Sequence, residues 1–511
     1  MGGAKRGGAD SRAMACPLSK SPWRLLVAAL FIAALLPSLL VRFPAMVDYP
    51  NHLARIGVEA AFGGADANAY YRAVWAPTPN LALDLLAPPL ARIVGPEAAV
   101  KAFLLLAQAL VFLGALALER AVKGRVRFAP FAAAAFLYNT AFGLGFLNFE
   151  FGFGLALLAL AAWIKLASEG AAARLVFVAL AEPLLYCAHL FALGLFGFVA
   201  GLVTLGDVLA GRRTPARAAL DFAILAAPLG GLALFMQAQE NAGATHWALS
   251  GKLTTLFLGF SASNVWLSRF DAIAVAGIVV ALAVSRGLKW AQNGGIVVGG
   301  LAALYLAMPG KWRGGDLVDV RVITALLFIG PAFVDFTLAN AREAASAAFA
   351  ALMFAAANLG LTALAWSAEA ADFEAIIASF GKLGQAPRVL VAFTEEGELP
   401  DPLRHAPTLA ASAKGAFVAD LFAYRGQQPI EAVEAVRSLA TPEQKGAPSL
   451  AQLDRALKGD PVTPEHLRDW PAHFDALYVI GPRADNPAPG LLAPFAAGAR
   501  FAAYRVTGAG K

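Results

Sequence analysis

Charge is the scarcest property of this chain. Only 15% of its 511 residues are Asp, Glu, Lys or Arg, while 59% are hydrophobic; soluble proteins carry about 25% charged residues. A soluble helical protein would need polar faces recurring every few residues, and between Leu25 and Trp366 the polar breaks are far sparser. Cysteine is nearly absent. Cys16 and Cys187 build no disulfide framework and mark no redox compartment. No apolar stretch precedes Cys16, which argues against a lipoprotein signal. Internal repeats of useful length are also missing, and with them the usual signature of inverted-repeat transporters.

What fills the chain is a series of apolar blocks of about 16–24 residues, enough to cross a hydrocarbon core as helices. They predict about eleven membrane spans, near 24–44, 98–119, 128–147, 149–167, 173–188, 190–210, 218–237, 271–285, 291–308, 321–339 and 345–366. The first block is longer than a signal-peptide core and no small-residue cleavage site follows it, so it reads as a retained helix. The formal charge of +6 does not indicate nucleic acid, because the basic residues fall in short loops between blocks. Lys5, Arg6, Arg12, Lys20 and Arg24 precede the first span. Alternate loops then carry Arg120, Lys123, Arg125 and Arg127, then Arg174, then Arg212, Arg213 and Arg217, then Arg286 and Lys289, and finally Arg342. The positive-inside rule makes these loops cytoplasmic.

The expected fold is mainly α, a polytopic transmembrane helix bundle with a small soluble α/β domain. Residues 1–23 form a cytoplasmic tail, 24–366 the membrane domain, and 367–511 a soluble domain on the outer face. The first outer loop, 45–97, is too long for a plain connection. Pro50 suits a first helical turn, and Leu53, Ile56, Val58 and Phe62 interleave with Arg55 and Glu59. That pattern predicts an amphipathic helix at 49–62 lying on the membrane surface. The stretch 81–93, interrupted by Pro88 and Pro89, is expected to dip along the interface. In the C-terminal domain, strands are expected at 388–393, 476–480 and 501–506, with helices around 430–440 and 448–457. It has no glycine-rich nucleotide loop. Its oddest stretch, 422–429, reads as an acceptor-facing loop or as ordinary surface.

On this topology the unusual polar residues gather on the outer side. Asp48 follows the first span, and His52 stands one helical turn later on the same face. Asn148 and Glu150 fall in the turn between the third and fourth spans, with His189 at the outer end of the fifth. His246 and Trp247 lie in the loop 238–270, and Lys311, Arg313, Asp316, Asp319 and Arg321 crowd the loop before the tenth span. Structural roles compete with chemical ones: Asp48 suits an N-cap, His52 an interfacial site, and 311–321 a solvated loop. A zinc site from Asp48, His52, His189 and His246 lacks any HxxxH or HExxH spacing. Glu182 lies inside the fifth span beside Pro183. A carboxylate there costs about 2.5–3.5 kcal/mol to insert, so it either faces a polar cavity or sits neutral beside a proline kink.

Three stretches carry a family resemblance. They are Asp48-Tyr-Pro-Asn-His52-Leu-Ala-Arg55, Pro79-Asn-Leu-Ala-Leu-Asp84 and Asp319-Val-Arg321. With the layout of residues 20–366, they make the chain resemble the GT-C superfamily of membrane glycosyltransferases. Within it, the chain looks like the bacterial dolichyl-phosphate-mannose-type and lipopolysaccharide-core sugar transferases. The resemblance implies transfer of a sugar from a polyprenyl-phosphate donor to a glycan, lipid or protein acceptor, on the outer face of the bacterial inner membrane. It gives Asp48 the role of catalytic base on the acceptor hydroxyl, and Lys311, Arg313 and Arg321 the lipid phosphate. Cations there stabilise the negative charge growing on the leaving group. His52, Arg55, Glu182, His189, His246 and Asp319 complete the expected substrate-binding set. No cofactor is expected beyond the donor itself. A tyrosine follows Asp48 where many members carry paired acidic residues, which leaves a divalent metal open. Two other readings use the same helices, a lipid or glycan transporter and a non-catalytic scaffold of envelope assembly. Glu182 beside Pro183 is the one strong hint of transport.

Overall fold

In hydrocarbon a backbone N–H or C=O meets no water, so an apolar block must close its hydrogen bonds within itself. The blocks accordingly fold as helices. The computed structural model describes residues 20–236, 245–284, 287–312, 317–337, 340–394, 400–442, 446–482 and 486–507. Helix α1 (Lys20–Leu40) is followed by α2 (Tyr49–Ala61), strand β1 (Tyr71–Ala73) and α3 (Ala82–Val94), all three from the first loop. Then come α4 (Pro96–Lys123), α5 (Ala129–Phe136), α6 (Thr140–Gly143), α7 (Leu147–Lys165), α8 (Ala171–Ala188), α9 (Leu190–Leu209) and α10 (Pro215–Met236). After α11 (Ser250–Leu258) the bundle is completed by α12 (Val265–Val284), β2 (Leu288–Trp290), α13 (Gly294–Ala307), α14 (Val320–Phe333), β3 (Val334–Phe336) and α15 (Ala341–Ser379).

Among the described residues, seven helices are long and apolar enough to cross a membrane: α1, α4, α7, α8, α9, α12 and α15. Helices α13 and α14 are apolar but shorter. Large apolar side chains such as Leu180, Val280, Phe349 and Leu364 point outward, as lipid-facing surfaces require. This is an integral membrane protein.

The third span, expected as one helix over 128–147, is broken between α5 and α6. Asn139 causes the break. Its Oδ1 caps α6 by accepting from Ala141 N at 3.0 Å and Phe142 N at 3.4 Å, and Thr324 of α14 donates to the same oxygen at 2.9 Å. Irregular backbone is tolerated in a membrane bundle where protein buries it, and Asn139 is fully buried. The turn expected at 148–150 falls earlier, at 144–146, so Asn148 and Glu150 lie in the first turn of α7. His189 does separate two helices. Its extended backbone ends α8, and its Nδ1 caps α9 by accepting from Phe191 N at 3.0 Å.

Polar side chains sort to the two ends of the bundle. At one end, Lys123 Nζ donates to the carbonyls of Pro331 and Val334, Asn293 bonds Asp207, and β2 pairs with β3. Arg174 of α8 and Arg213 both pair there with Asp221 of α10, all three buried, and Arg174 lies 3.6 Å over the Trp163 ring. At the other end, Arg42 joins Glu97 at 2.7 Å and Glu374 at 3.1 Å, tying the ends of α1, α4 and α15 together.

The C-terminal part sits on that second end. Strands β4 (Arg388–Phe393), β5 (Phe417–Val418), β7 (Ala476–Ile480), β8 (Leu492–Ala497) and β9 (Phe501–Val506) form one sheet in the order β5-β4-β7-β9-β8. β4 runs parallel to β5 and β7, and β9 antiparallel to β7 and β8. The segment expected as helix around 430–440 begins instead with strand β6 (Ile430–Ala432), which pairs with β1 from the first loop. Helix α15 runs past residue 366 without a break and buries Phe373 and Ile376, and Ser379 Oγ lies 2.6 Å from Tyr478 OH in the sheet.

Helix α2 does not lie on a membrane surface. Its residues from Tyr49 to Val58 are buried apart from His52, and the segment 406–414 covers it. Gly57 is required there, because a Cβ would come within 2.5 Å of Ser412 Cβ. Helix α3 likewise continues through Pro88 and Pro89. Arg55 of α2 bonds Asp84 of α3 through Nε at 2.7 Å and NH2 at 3.0 Å, and Glu59 lies 3.5 Å from Arg55. Burial, and then the charge of Asp84, push the Glu59 carboxyl up to about 10, so it packs as a neutral acid.

Replacing Asp221 with alanine leaves Arg174 and Arg213 buried without their shared anion. Breaking a buried ion pair costs about 3–5 kcal/mol, so the detergent-solubilised variant should melt well below the wild type. An unchanged melting temperature would show that the cluster contributes nothing to stability.

Candidate active site

Asp48 stands at the N-cap position of α2, yet its side chain makes no capping hydrogen bond. Its backbone is anchored instead. Asp48 N donates to Leu144 O at 3.0 Å, and the α6–α7 turn presses against it. That turn depends on Gly145, whose φ of 90° is left-handed and whose Cβ would come within 2.8 Å of Asp48 N. Gly145 O in turn accepts from His52 Nε2 at 3.2 Å. The carboxylate of Asp48, 19% exposed, faces a cavity of about 1110 Å³.

Part of the lining of this cavity is polar, from Asp48, His52, His189, Arg321, Arg404 and His405, with Asp420, Tyr424, Gln427 and Gln428. Part is apolar and includes Leu190, Leu193 and Phe198 of α9, Leu304 of α13 and Met308. Gly194 and Gly197 open the α9 wall, since a Cβ at either would meet nothing within 4 Å. A phosphate or sugar suits the polar lining, and a hydrocarbon chain the apolar.

Electrostatics at the polar lining follow from partial burial. Desolvation, opposed by His405, Arg404 and Arg321 and reinforced by Asp420, pushes the Asp48 carboxyl up to about 6. Burial first, and the charge of Arg55 second, hold His52 well below the ordinary histidine range. His52 is therefore neutral. Because a carbonyl only accepts, its Nε2 carries the proton, and its buried Nδ1 meets no partner among the described residues. Arg321, in the first turn of α14, lies 4.3 Å over the Phe146 ring and 5.7 Å from that of Phe149. Its cation is thus held beside the α6–α7 turn that supports Asp48.

Several residues expected in the site are elsewhere. Arg55 touches the cavity wall, but its guanidinium is taken up by Asp84 and Glu59. Glu182 is buried within α8 and does not line the cavity. His246 and Lys311 form an isolated antiparallel bridge outside it, His246 N donating to Lys311 O at 2.8 Å. Asp319 accepts from Lys252 Nζ at 2.6 Å and is buried away from the cavity. His246, Lys311 and Asp319 are expected in the site from a shared side of the membrane and Glu182 from its depth in the fifth span, and neither criterion resolves position within the bundle. Arg313 and Asp316 lie outside the described residues.

The sequence reading missed Arg404, His405 and Asp420, all from the C-terminal part. His405 Nε2 lies 3.5 Å from Asp48 Oδ1, and its Nδ1 lies 2.7 Å from Asp420 Oδ2. Asn51 of α2 donates to Asp420 O at 2.8 Å and accepts from Phe422 N at 2.7 Å. No local motif marks these residues, because only packing of the segment 406–414 against α2 brings them there. Among the described residues, no group of three or more His, Cys, Asp or Glu side chains is placed to hold a metal ion.

No protein-family description and no curated protein matches this sequence. The fold does have a counterpart in ArnT from Cupriavidus metallidurans, whose crystal structure holds undecaprenyl phosphate. The two share 14% sequence identity with a TM-score of 0.50, over 95% of this chain and 98% of that one. The apo structure of the same ArnT aligns over the same shares with a TM-score of 0.47 and 13% identity. The chain shares the fold of that protein, mainly helical with a small sheet toward the C-terminus.

Proposed function

We propose that this protein transfers a sugar from a polyprenyl-phosphate donor to an envelope acceptor on the outer face of the bacterial inner membrane. The observation that carries this reading is one cavity whose lining is part apolar and part polar, the polar part including both Asp48 and Arg321. The prenyl chain lies along α9 and α13 beside the open Gly194–Gly197 wall. Its phosphate reaches Arg321 and Arg404, whose positive charges offset the charge gained by the leaving group in a low-dielectric site. Asp48 removes the proton of the acceptor hydroxyl, for which a carboxyl held near 6 is better matched than an ordinary aspartate near 3.9. Glu182, the residue that favoured transport, lies off this cavity, so the transferase is preferred. The soluble part is outside and the N-terminus inside, a topology supported by the basic loops at the opposite end of the bundle.

Asp48→Asn preserves size and capping ability but supplies no base. Transfer should fall by about 10²–10⁴-fold at unchanged membrane abundance, read as glycan or lipid product by mass spectrometry. Full activity would remove the mechanism. In the wild type, activity should fall as pH drops through about 6, where Asp48 takes up a proton. A limb that persists down to about pH 4 would mean that another group is the base.

At Arg321, substitution by alanine should cost more transfer than substitution by lysine if the phosphate is met by a point charge. Equal losses indicate that the planar two-pronged donor is needed. An unaffected Arg321→Ala enzyme would take Arg321 out of the phosphate site.

For topology, a reporter active only in the cytoplasm and fused after Lys511 should stay silent. Strong activity would invert the assignment of faces and with it the outer-face reaction.

A further inference from the structure

We propose that His405 is a positioning residue for Asp48, presenting its Nε2 proton to the Asp48 carboxylate. The C-terminal part of the chain would then complete the transfer site. This rests on the glycosyl-transfer reading above. His405 comes from a segment more than 350 positions along the chain from Asp48 (its hydrogen-bond separation from Asn51 is 354), yet its ring is fixed against α2 on several sides. Nδ1 lies 2.7 Å from Asp420 Oδ2, and Nε2 lies 3.5 Å from Asp48 Oδ1. The ring meets Phe422 edge-on at 5.1 Å. Asn51 locks the frame. Its amide oxygen accepts from Phe422 N and its amide nitrogen donates to Asp420 O, which brings that nitrogen to 3.3 Å from His405 Nδ1.

An ionised carboxylate can only accept, so with Asp420 Oδ2 2.7 Å from Nδ1 and Asp48 Oδ1 3.5 Å from Nε2 the ring turns an N–H toward each, and Nε2 offers Asp48 a proton and not a lone pair. Both acids are needed for different reasons. Asp420, 3% exposed at its side chain, orients the ring, and Asp48 meets the substrate.

During transfer, the acceptor oxygen bonds to the anomeric carbon of the donor sugar as the bond from that carbon to the phosphate oxygen breaks. The electron pair of the broken bond leaves on the phosphate. The hydroxyl proton passes to Asp48 and from there to water in the cavity, while the His405 Nε2 proton stays beside the carboxylate. The 3.5 Å gap is of the kind that closes when substrate binds. The charged and titratable groups facing Asp48 are His405, Arg404, Asp420 and Arg321, and those facing His405 are Asp48, Asp420 and His52.

The test uses the full-length protein in proteoliposomes, with a total lipid extract of the source membranes as donor and acceptor. Release of free polyprenyl phosphate is followed by mass spectrometry across pH. His405→Gln should slow release by about tenfold or more while staying above the rate of Asp48→Asn. Its acid limb should move up by about one unit, because the proton that His405 presents no longer favours ionised Asp48. Asp420→Asn, which keeps the histidine and the local volume, should slow release in the same direction and guards against misfolding of the first variant. In the Asp48→Asn background, His405→Gln should add no further loss, as expected for residues acting as a unit. A normal rate and unmoved limb in His405→Gln, or losses that multiply in the double variant, would overturn the proposal. Those results alongside an inactive Asp48→Asn would leave the transferase reading intact, whereas an active Asp48→Asn would remove both.

Discussion

Exclusion of water from the hydrocarbon core is the constraint on which the rest of this structure depends. Each polar group must either find a partner inside the bundle or move to one of its ends. Glu119 illustrates the first course. Fully buried near the end of α4, it accepts from the backbone N–H groups of Arg127, Phe128 and Ala129 and pairs with Lys123. One carboxylate thereby satisfies the donors that open α5. Asn139 does the same for α6. Arg42, Glu97 and Glu374 illustrate the second course, gathered where helices emerge.

The same constraint shapes the chemistry of the cavity. Its polar lining is buried enough to raise the Asp48 carboxyl and to keep His52 neutral. Arg321 and Arg404 act on Asp48 from the same cavity and limit that rise. Interactions of this kind are stronger in a low-dielectric site than in water. The apolar lining needs no such balance, because lipid-like walls cost nothing to leave unpaired.

The helical framework was legible because its signal is local. Each expected span overlaps a helix, the third broken at Asn139 and the tenth ending in β3, and strands β4, β7 and β9 match the expected ranges. The misjudged features all turn on contacts. Asn139 looked like one polar residue in an apolar run, and its role in breaking the helix depends on Thr324 of α14. The amphipathic pattern of α2 correctly marked a helix with one apolar face. It could not reveal that the C-terminal part covers the polar face, with Arg55 satisfied by Asp84 and Asn51 by Asp420. Of the expected site residues, Asp48, His52, His189 and Arg321 share the cavity, and Glu182, His246, Lys311 and Asp319 do not.

By itself, the sequence determined the solvent of this protein, the run of its helices and the end of the bundle at which Asp48 stands. Hydrophobic length and loop charge are sums over neighbouring residues, so they need no knowledge of the fold. Tertiary structure alone decided which groups Asp48 meets. His405 and Asp420 reach it because β1 of the first loop pairs with β6 and the segment 406–414 packs on α2. Such a meeting rests on contacts between residues hundreds of positions apart, and nothing in the local pattern around any of them records it.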